Sequence, residues 1–98
     1  MKITSTTEGG KTTLALEGWL DTTTAPELEA ELKTCLDGIT ALTLDLTNLD
    51  YISSAGLRVL LSAHKTMMKQ GQMKVTNASE IVREVFDVTG FSDILNIE

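Results

Sequence analysis

Two serines stand side by side in the stretch LDYISSAGLRVLL (residues 49–61), where a hydroxyl has four possible uses. It can cap a helix, act as a nucleophile, help cradle a phosphate, or carry a modification. A nucleophile at a strand-to-helix turn needs the pattern Gly-x-Ser-x-Gly. Residues 52–56 read Ile-Ser-Ser-Ala-Gly instead. The base is missing too. The only histidine, His64, is ten residues beyond Ser54 in one helical pattern. That is ~15 Å along a helix axis, whereas a nucleophile and its base must approach to about 3 Å. His64 also falls on an apolar stripe, which makes it a core or edge-of-core side chain. A second decoy is GGKTT (9–13), which ends as a phosphate-binding loop does. The earlier glycine of such a loop would be position 5, which is Ser5, and the segment leads into a strand rather than a helix. Cys35 and His64 lie on different helices and make no metal-ligand spacing. Glu27, Glu29 and Glu31 alternate by two along a helix and do not converge. The expectation is a protein that is not an enzyme, without cofactor or metal, in which Cys35 and His64 are structural.

The elements that must position the serines follow from periodicity. MKITSTTEGGKTTLALEG (1–18) reads as a hairpin turning at Glu8-Gly9-Gly10, with a polar edge strand first and Leu14, Ala15 and Leu16 in the stronger second strand. Thr24-x-x-Glu27 fits a capping box with Pro26 in the first turn. A helix over 24–37 then carries Ala25, Leu28, Leu32, Cys35 and Leu36 on one face, and Gly38 stops it. ALTLDL (41–46) alternates as a strand does. A helix over 54–70 follows, with the stripe Leu57, Leu60, Leu61, His64, Met67 and Met68, and Gly71 ends it. QMKV (72–75) is a short strand. A third helix over 79–88, capped by Asn77 or Ser79, buries Ile81, Val82, Val85 and Phe86. The order β-β-α-β-α-β-α predicts a single α/β domain over 1–98, a mixed β-sheet with helices packed on it. Parallel pairs arise from the crossovers and one antiparallel pair from the hairpin.

Composition narrows the partners. The chain has 98 residues, 42% of them hydrophobic, with a net charge of -6. That balance disfavours nucleic acid and anionic membrane surfaces and suits a basic protein surface. One cysteine forms no internal disulfide, which fits a reducing compartment. No apolar run approaches the roughly 20 residues of a membrane span, and MKITSTTEGGK lacks a signal-peptide core. A cytoplasmic protein with no membrane insertion is expected.

Two readings of the serines then stand side by side. A serine is a preferred helix N-cap. A helix start is also an anion site, with free N–H groups and the positive end of the dipole. A phosphate on Ser54 would sit where a helix best tolerates it. Arg58, at i+4, is within reach as a counter-charge.

Three segments carry a family resemblance. LEGWLDTTTAPELEA (16–30), LTLDLTNLDYISSAGLRVLL (42–61) and ASEIVREVFDVTGF (78–91) occur in that order and cover most of the chain. Together they resemble the bacterial anti-sigma factor antagonists, a branch of the STAS superfamily. The resemblance puts the family's phosphorylated serine on Ser54, with Ser53 as the alternate. Gly56 and Leu57 match the residues that follow it, and Asp21 matches an aspartate held near the phosphorylation site. Where the family often has aspartate before the phosphoserine, this chain has Ser53. Many members continue into a further C-terminal helix; this sequence stops at Glu98.

What the resemblance implies is a partner switch that regulates transcription. The unphosphorylated antagonist binds an anti-sigma factor that is also a serine kinase, and so frees a sigma factor. Phosphorylation on Ser54 releases the antagonist, and a serine phosphatase resets it. The rival implied by the wider superfamily is an accessory subunit of an ABC-type lipid transporter with no phosphorylation cycle. The expected partner surface comprises Asp21, Thr22, Thr23, Ser53, Ser54, Gly56 and Arg58, because loops 17–24 and 48–54 both follow strands at one edge of the sheet.

Overall fold

The computed structural model describes all residues, 1–98. Four strands form one sheet in the order β1-β2-β3-β4: β1 (Lys2–Glu8), β2 (Lys11–Leu20), β3 (Ala41–Ile52) and β4 (Gln72–Thr76). β1 and β2 pair antiparallel; β2 with β3 and β3 with β4 pair parallel. The crossovers are α1 (Ala25–Cys35) and α2 (Ser54–Met68), and α3 (Glu80–Thr89) follows β4. This is the mixed sheet and the element order expected above. The GGKTT decoy is a hairpin turn: Gly9 and Gly10 take φ of +58° and +80°, the left-handed pair that a two-residue hairpin favours.

The sheet buries one face. In β2, Thr12, Leu14, Leu16 and Leu20 are buried while Lys11, Thr13, Glu17 and Trp19 are exposed. Leu42, Leu44, Leu46, Leu49 and Ile52 of β3 join the same core as Leu28 and Leu32 of α1 and Leu57, Leu60 and Met67 of α2. Past α3 a 3-10 turn spans Phe91–Asp93. The tail then returns along β4, where Val75 N–H donates to Asn96 O (2.8 Å) and Glu98 N–H donates to Val75 O (2.8 Å).

Several expectations change. β3 does not end at Leu46; it runs on to Ile52. Two register shifts against β2 let it gain residues without losing its partner, so the loops expected at 17–24 and 48–54 shrink to 21–24 and Ser53. Met68 is 70% exposed, because the inner face of α2 is Gly56, Leu57, Val59, Leu60, Ala63 and Met67. The stripe is turned toward its small residues, and in the last turn Met67 faces the core while Met68 points away from it. Leu61 and His64 are half-buried, with His64 Nδ1 enclosed and unpartnered. Ile81 is 61% exposed, since Val82 and Phe86 are the side chains that α3 turns inward. Ser79, not Asn77, caps α3: its Oγ accepts from Val82 N–H at 3.2 Å.

Candidate functional site: the start of α2 and the turn before α1

Leu20 and Ile52 are register partners at the ends of β2 and β3. Ser53 N–H donates to Leu20 O at 2.9 Å, which ties the start of α2 to the point where β2 gives way to Asp21. The two serines then divide their tasks. Ser53 is the N-cap, with extended backbone (φ -100°, ψ 176°), its Oγ accepting from Gly56 N–H at 3.5 Å. Its carbonyl takes the first helical bond, from Leu57 N–H at 2.9 Å. Ser54 is the first residue of the helix, and it is exposed. Its hydroxyl makes no hydrogen bond to another residue.

Gly56 is buried one turn in. A Cβ there would lie 2.7 Å from Leu20 Cγ and 3.0 Å from Ile52 Cγ1. Gly56 therefore seats the helix start against the sheet and presents no side to a partner, a correction to its place in the expected surface. The first turn of α2 contains no acidic residue, so no side chain of that turn neutralises the positive end of its dipole. Arg58 is exposed and faces a groove of about 260 Å³ shared with Thr22, Pro26 and Ser62.

Losing the Ser53 cap should be measurable. Ser53→Ala should lower stability by ~1 kcal/mol, read as a fall in melting temperature of roughly 4–8 °C. An unchanged melting curve would contradict the capping role.

The turn before α1 differs from the expected capping box. Thr24 has helical backbone (φ -102°, ψ -20°) and makes no side-chain cap. Its Oγ1 reaches backward, accepting from Asp21 N–H (2.8 Å) and donating to Trp19 O (2.8 Å). Asp21 does the capping. Its carbonyl accepts Ala25 N–H at 2.8 Å. Its Oδ1 accepts Thr23 Oγ1–H (2.7 Å), Thr23 N–H (2.9 Å) and Thr24 N–H (3.2 Å). Thr22 and Thr23 stay exposed.

These donors, the Thr23 hydroxyl first, hold the Asp21 carboxyl below the ordinary aspartate range. Asp45 is held down likewise, mainly by Thr47 Oγ1. Below the ordinary value near about 4, the unfolded chain binds protons that the folded one refuses, so stability rises with pH through that window. The Asp21 contribution is thus fully present at neutral pH and is lost as pH falls through its depressed folded value. Acid titration of unfolding should show wild type losing stability more steeply below about pH 4 than Asp21→Asn. Equal slopes would count against the network.

The fold thus places Asp21 and Ser53 at adjoining strand ends, and Thr22 and Arg58 on one groove. Two residues escaped the sequence reading. Trp19 and Tyr51 are register partners whose rings lie 5.3 Å apart, exposed on the uncovered face of the sheet beside these connections. The alternation in β2, with Leu20 turned inward, already points Trp19 outward.

Comparison with known proteins bears on this arrangement. The STAS domain description matches residues 2–98. BtrV of Bordetella bronchiseptica, which carries the name of an anti-sigma factor antagonist, is 40% identical over 99 residues, covering 99% of this chain and 85% of BtrV. The fold matches the crystal structure of an anti-sigma factor antagonist from Mycobacterium paratuberculosis with a TM-score of 0.89 at 23% identity, over 98% of this chain and 83% of that one. It also matches the antagonist SpoIIAA in its unphosphorylated form, TM-score 0.85 at 19% identity, over 99% and 88% of the two chains. From these matches across nearly its whole length, the chain belongs to the STAS domain family, in the branch of the anti-sigma factor antagonists.

Proposed function

We propose that the protein is a partner-switching antagonist whose switch is Ser54. In the unphosphorylated state it binds an anti-sigma factor that is also a serine kinase, and a sigma factor is freed. The kinase transfers the γ-phosphoryl group of its ATP to Ser54 Oγ, ADP leaves, and the hydroxyl proton passes to a base of the kinase. The phosphoprotein dissociates, and a serine phosphatase hydrolyses the ester to restore the hydroxyl. The chain is then a substrate and a binding module rather than an enzyme, acting in the cytoplasm without a metal or cofactor of its own.

The observation that carries this reading is the division of labour at the start of α2. Ser53 satisfies the helix, so Ser54 is free to react without dismantling its own cap. An added phosphate would meet the positive N-terminal end of the helix. The relatives add support. BtrV is named as an antagonist, and SpoIIAA has been solved in both phosphorylated and unphosphorylated forms. The contact surface in this reading is Asp21, Thr22, Thr23, Ser53, Ser54 and Arg58, with Gly56 setting the seat beneath them. The test is to capture the anti-sigma factor with the protein, add ATP and locate the phosphate by mass spectrometry. Phosphate on Ser54 is expected. Phosphate on Ser53 alone, or an anti-sigma factor that neither binds nor modifies the protein, would overturn the reading.

A further inference from the structure

Trp19 and Tyr51 are large side chains left in water by a chain with few aromatics to spare. Trp19 is 59% exposed and is the only tryptophan; Tyr51 is 38% exposed. They sit opposite one another on β2 and β3, with ring centroids 5.3 Å apart and planes tilted by 45°. Such a pair forms an apolar step open to solvent. Both backbones are anchored: Trp19 O accepts the Thr24 hydroxyl (2.8 Å), and the next residue on each strand, Leu20 and Ile52, is buried.

The surroundings have a sign. Glu17 is two residues before Trp19 on the same strand, Asp50 precedes Tyr51, and both are exposed. Asp21 lies two residues beyond Trp19. Two cations are near: Lys2 is opposite Glu17 in register, and the amino-terminal residue Met1 lies beside Gly18, its Cα 3.6 Å from where a Cβ there would stand. An open aromatic face with an acidic rim fits a guanidinium group, which stacks on the ring and is attracted by its quadrupole. Tryptophan and tyrosine are also the residue types that most often anchor protein interfaces.

We propose that the Trp19–Tyr51 pair is a docking anchor for an arginine-bearing, basic patch on the anti-sigma factor, lying beside the Ser54 switch but on the uncovered sheet face. The proposal rests on the function argued above and extends it. Ser54 decides when the complex forms; the aromatic pair supplies affinity that does not depend on the switch.

The experiment uses the full chain and the anti-sigma factor captured by a Ser54→Ala bait and then purified. Titrating that factor into wild type should shift and quench the emission of Trp19, the single fluorophore of its kind. Trp19→Ala should weaken binding by at least about tenfold and Tyr51→Ala by several-fold, while Trp19→Phe keeps most of the affinity. Once the contacting arginine of the factor is changed to alanine, Trp19→Ala should cost little more. Near-wild-type affinity of both alanine variants, or unchanged Trp19 emission at saturation, would overturn the proposal. So would an emission shift that grows with the protein's own concentration, which would give the patch to a second copy. If Trp19→Ala does not fold, the wild-type emission and Trp19→Phe decide. Ser54→Asp run in parallel separates the two claims. Loss there with wild-type binding by Trp19→Ala leaves the switch standing and the anchor refuted. The reverse pattern refutes the switch and keeps the anchor.

Discussion

Ser54→Asp should melt with the wild-type protein yet bind the anti-sigma factor at least about tenfold more weakly. Folding tolerates the change because position 54 is exposed, belongs to the first turn of α2, and is not the cap. An acidic residue at that position is favourable to the helix by a few tenths to about 1 kcal/mol. Binding does not tolerate it, on the proposed reading, because a surface shaped around a neutral hydroxyl would enclose an anion. A misplaced buried charge costs several kcal/mol, and about 1.4 kcal/mol is already tenfold in affinity. A phosphate, at about -1.5 to -2, should weaken binding further. Ser54→Ala should do the opposite, remaining bound in the presence of ATP and accepting no phosphate. Its stability should stay within about 0.5 kcal/mol of wild type, as for other exposed positions. Ser53→Ala should lose stability and still be phosphorylated. Calorimetric titration of each variant, with mass spectrometry after incubation with ATP, measures all of these. Equal affinity of wild type and Ser54→Asp, or full phosphorylation of Ser54→Ala, would reduce Ser54 to an ordinary surface residue.

Gly71→Ala should damage the fold far more than its small size implies. A Cβ at position 71 would stand 1.8 Å from Thr40 O and 2.6 Å from Thr40 C. These are backbone atoms, and they have nowhere to go. Thr40 N–H donates to Gly10 O (2.8 Å), Thr40 O accepts Gln72 N–H (3.0 Å), and Gly71 N–H donates to Met67 O (2.7 Å). The methyl group would have to part the start of β4 from the residue that precedes β3. Overpacking of this kind costs roughly 1–3 kcal/mol, more where backbone must move, so a fall in melting temperature of roughly 10–20 °C is expected. Gly38→Ala is the control. Gly38 has φ of +79° with no atom within 4 Å of a Cβ, so only backbone strain of roughly 1–2 kcal/mol applies. A Gly71→Ala protein as stable as Gly38→Ala would show that the junction yields.

These glycines show what could and could not be read in advance. Both mark helix ends in the sequence, but Gly38 serves through its dihedral angle and Gly71 through proximity to a residue 31 positions earlier. Local spacing carries the first kind of information and not the second. The same limit acts at the site. The junction at Ser53-Ser54 is legible because an apolar strand meets an amphipathic helix there. The choice of cap is not, since either serine satisfies the composition rule and the backbone geometry selects Ser53. Thr24-x-x-Glu27 has a capping-box spelling, but Asp21 makes the better turn and takes the helix N–H instead. The extension of β3 to Ile52 rests on two register shifts against β2, which are properties of the pair rather than of either strand. The α2 stripe misleads for a simpler reason. Hydrophobicity favours Met68, whereas packing favours the small Gly56 and Ala63 on the face that must approach the sheet.

The return of the tail along β4 bears on self-association. A sheet with two bare edges can add a copy at each side and grow without limit. Here β4 is five residues long, and the groups of Val75 on its outer side are already taken by Asn96 and Glu98. The rest of β4 is too short to offer much of an edge, and β1, the longer edge strand, carries a Thr4-Ser5-Thr6-Thr7 run with little apolar surface. At Val75 the tail therefore acts as a chain terminator does in a polymer, occupying the position at which a further strand would add.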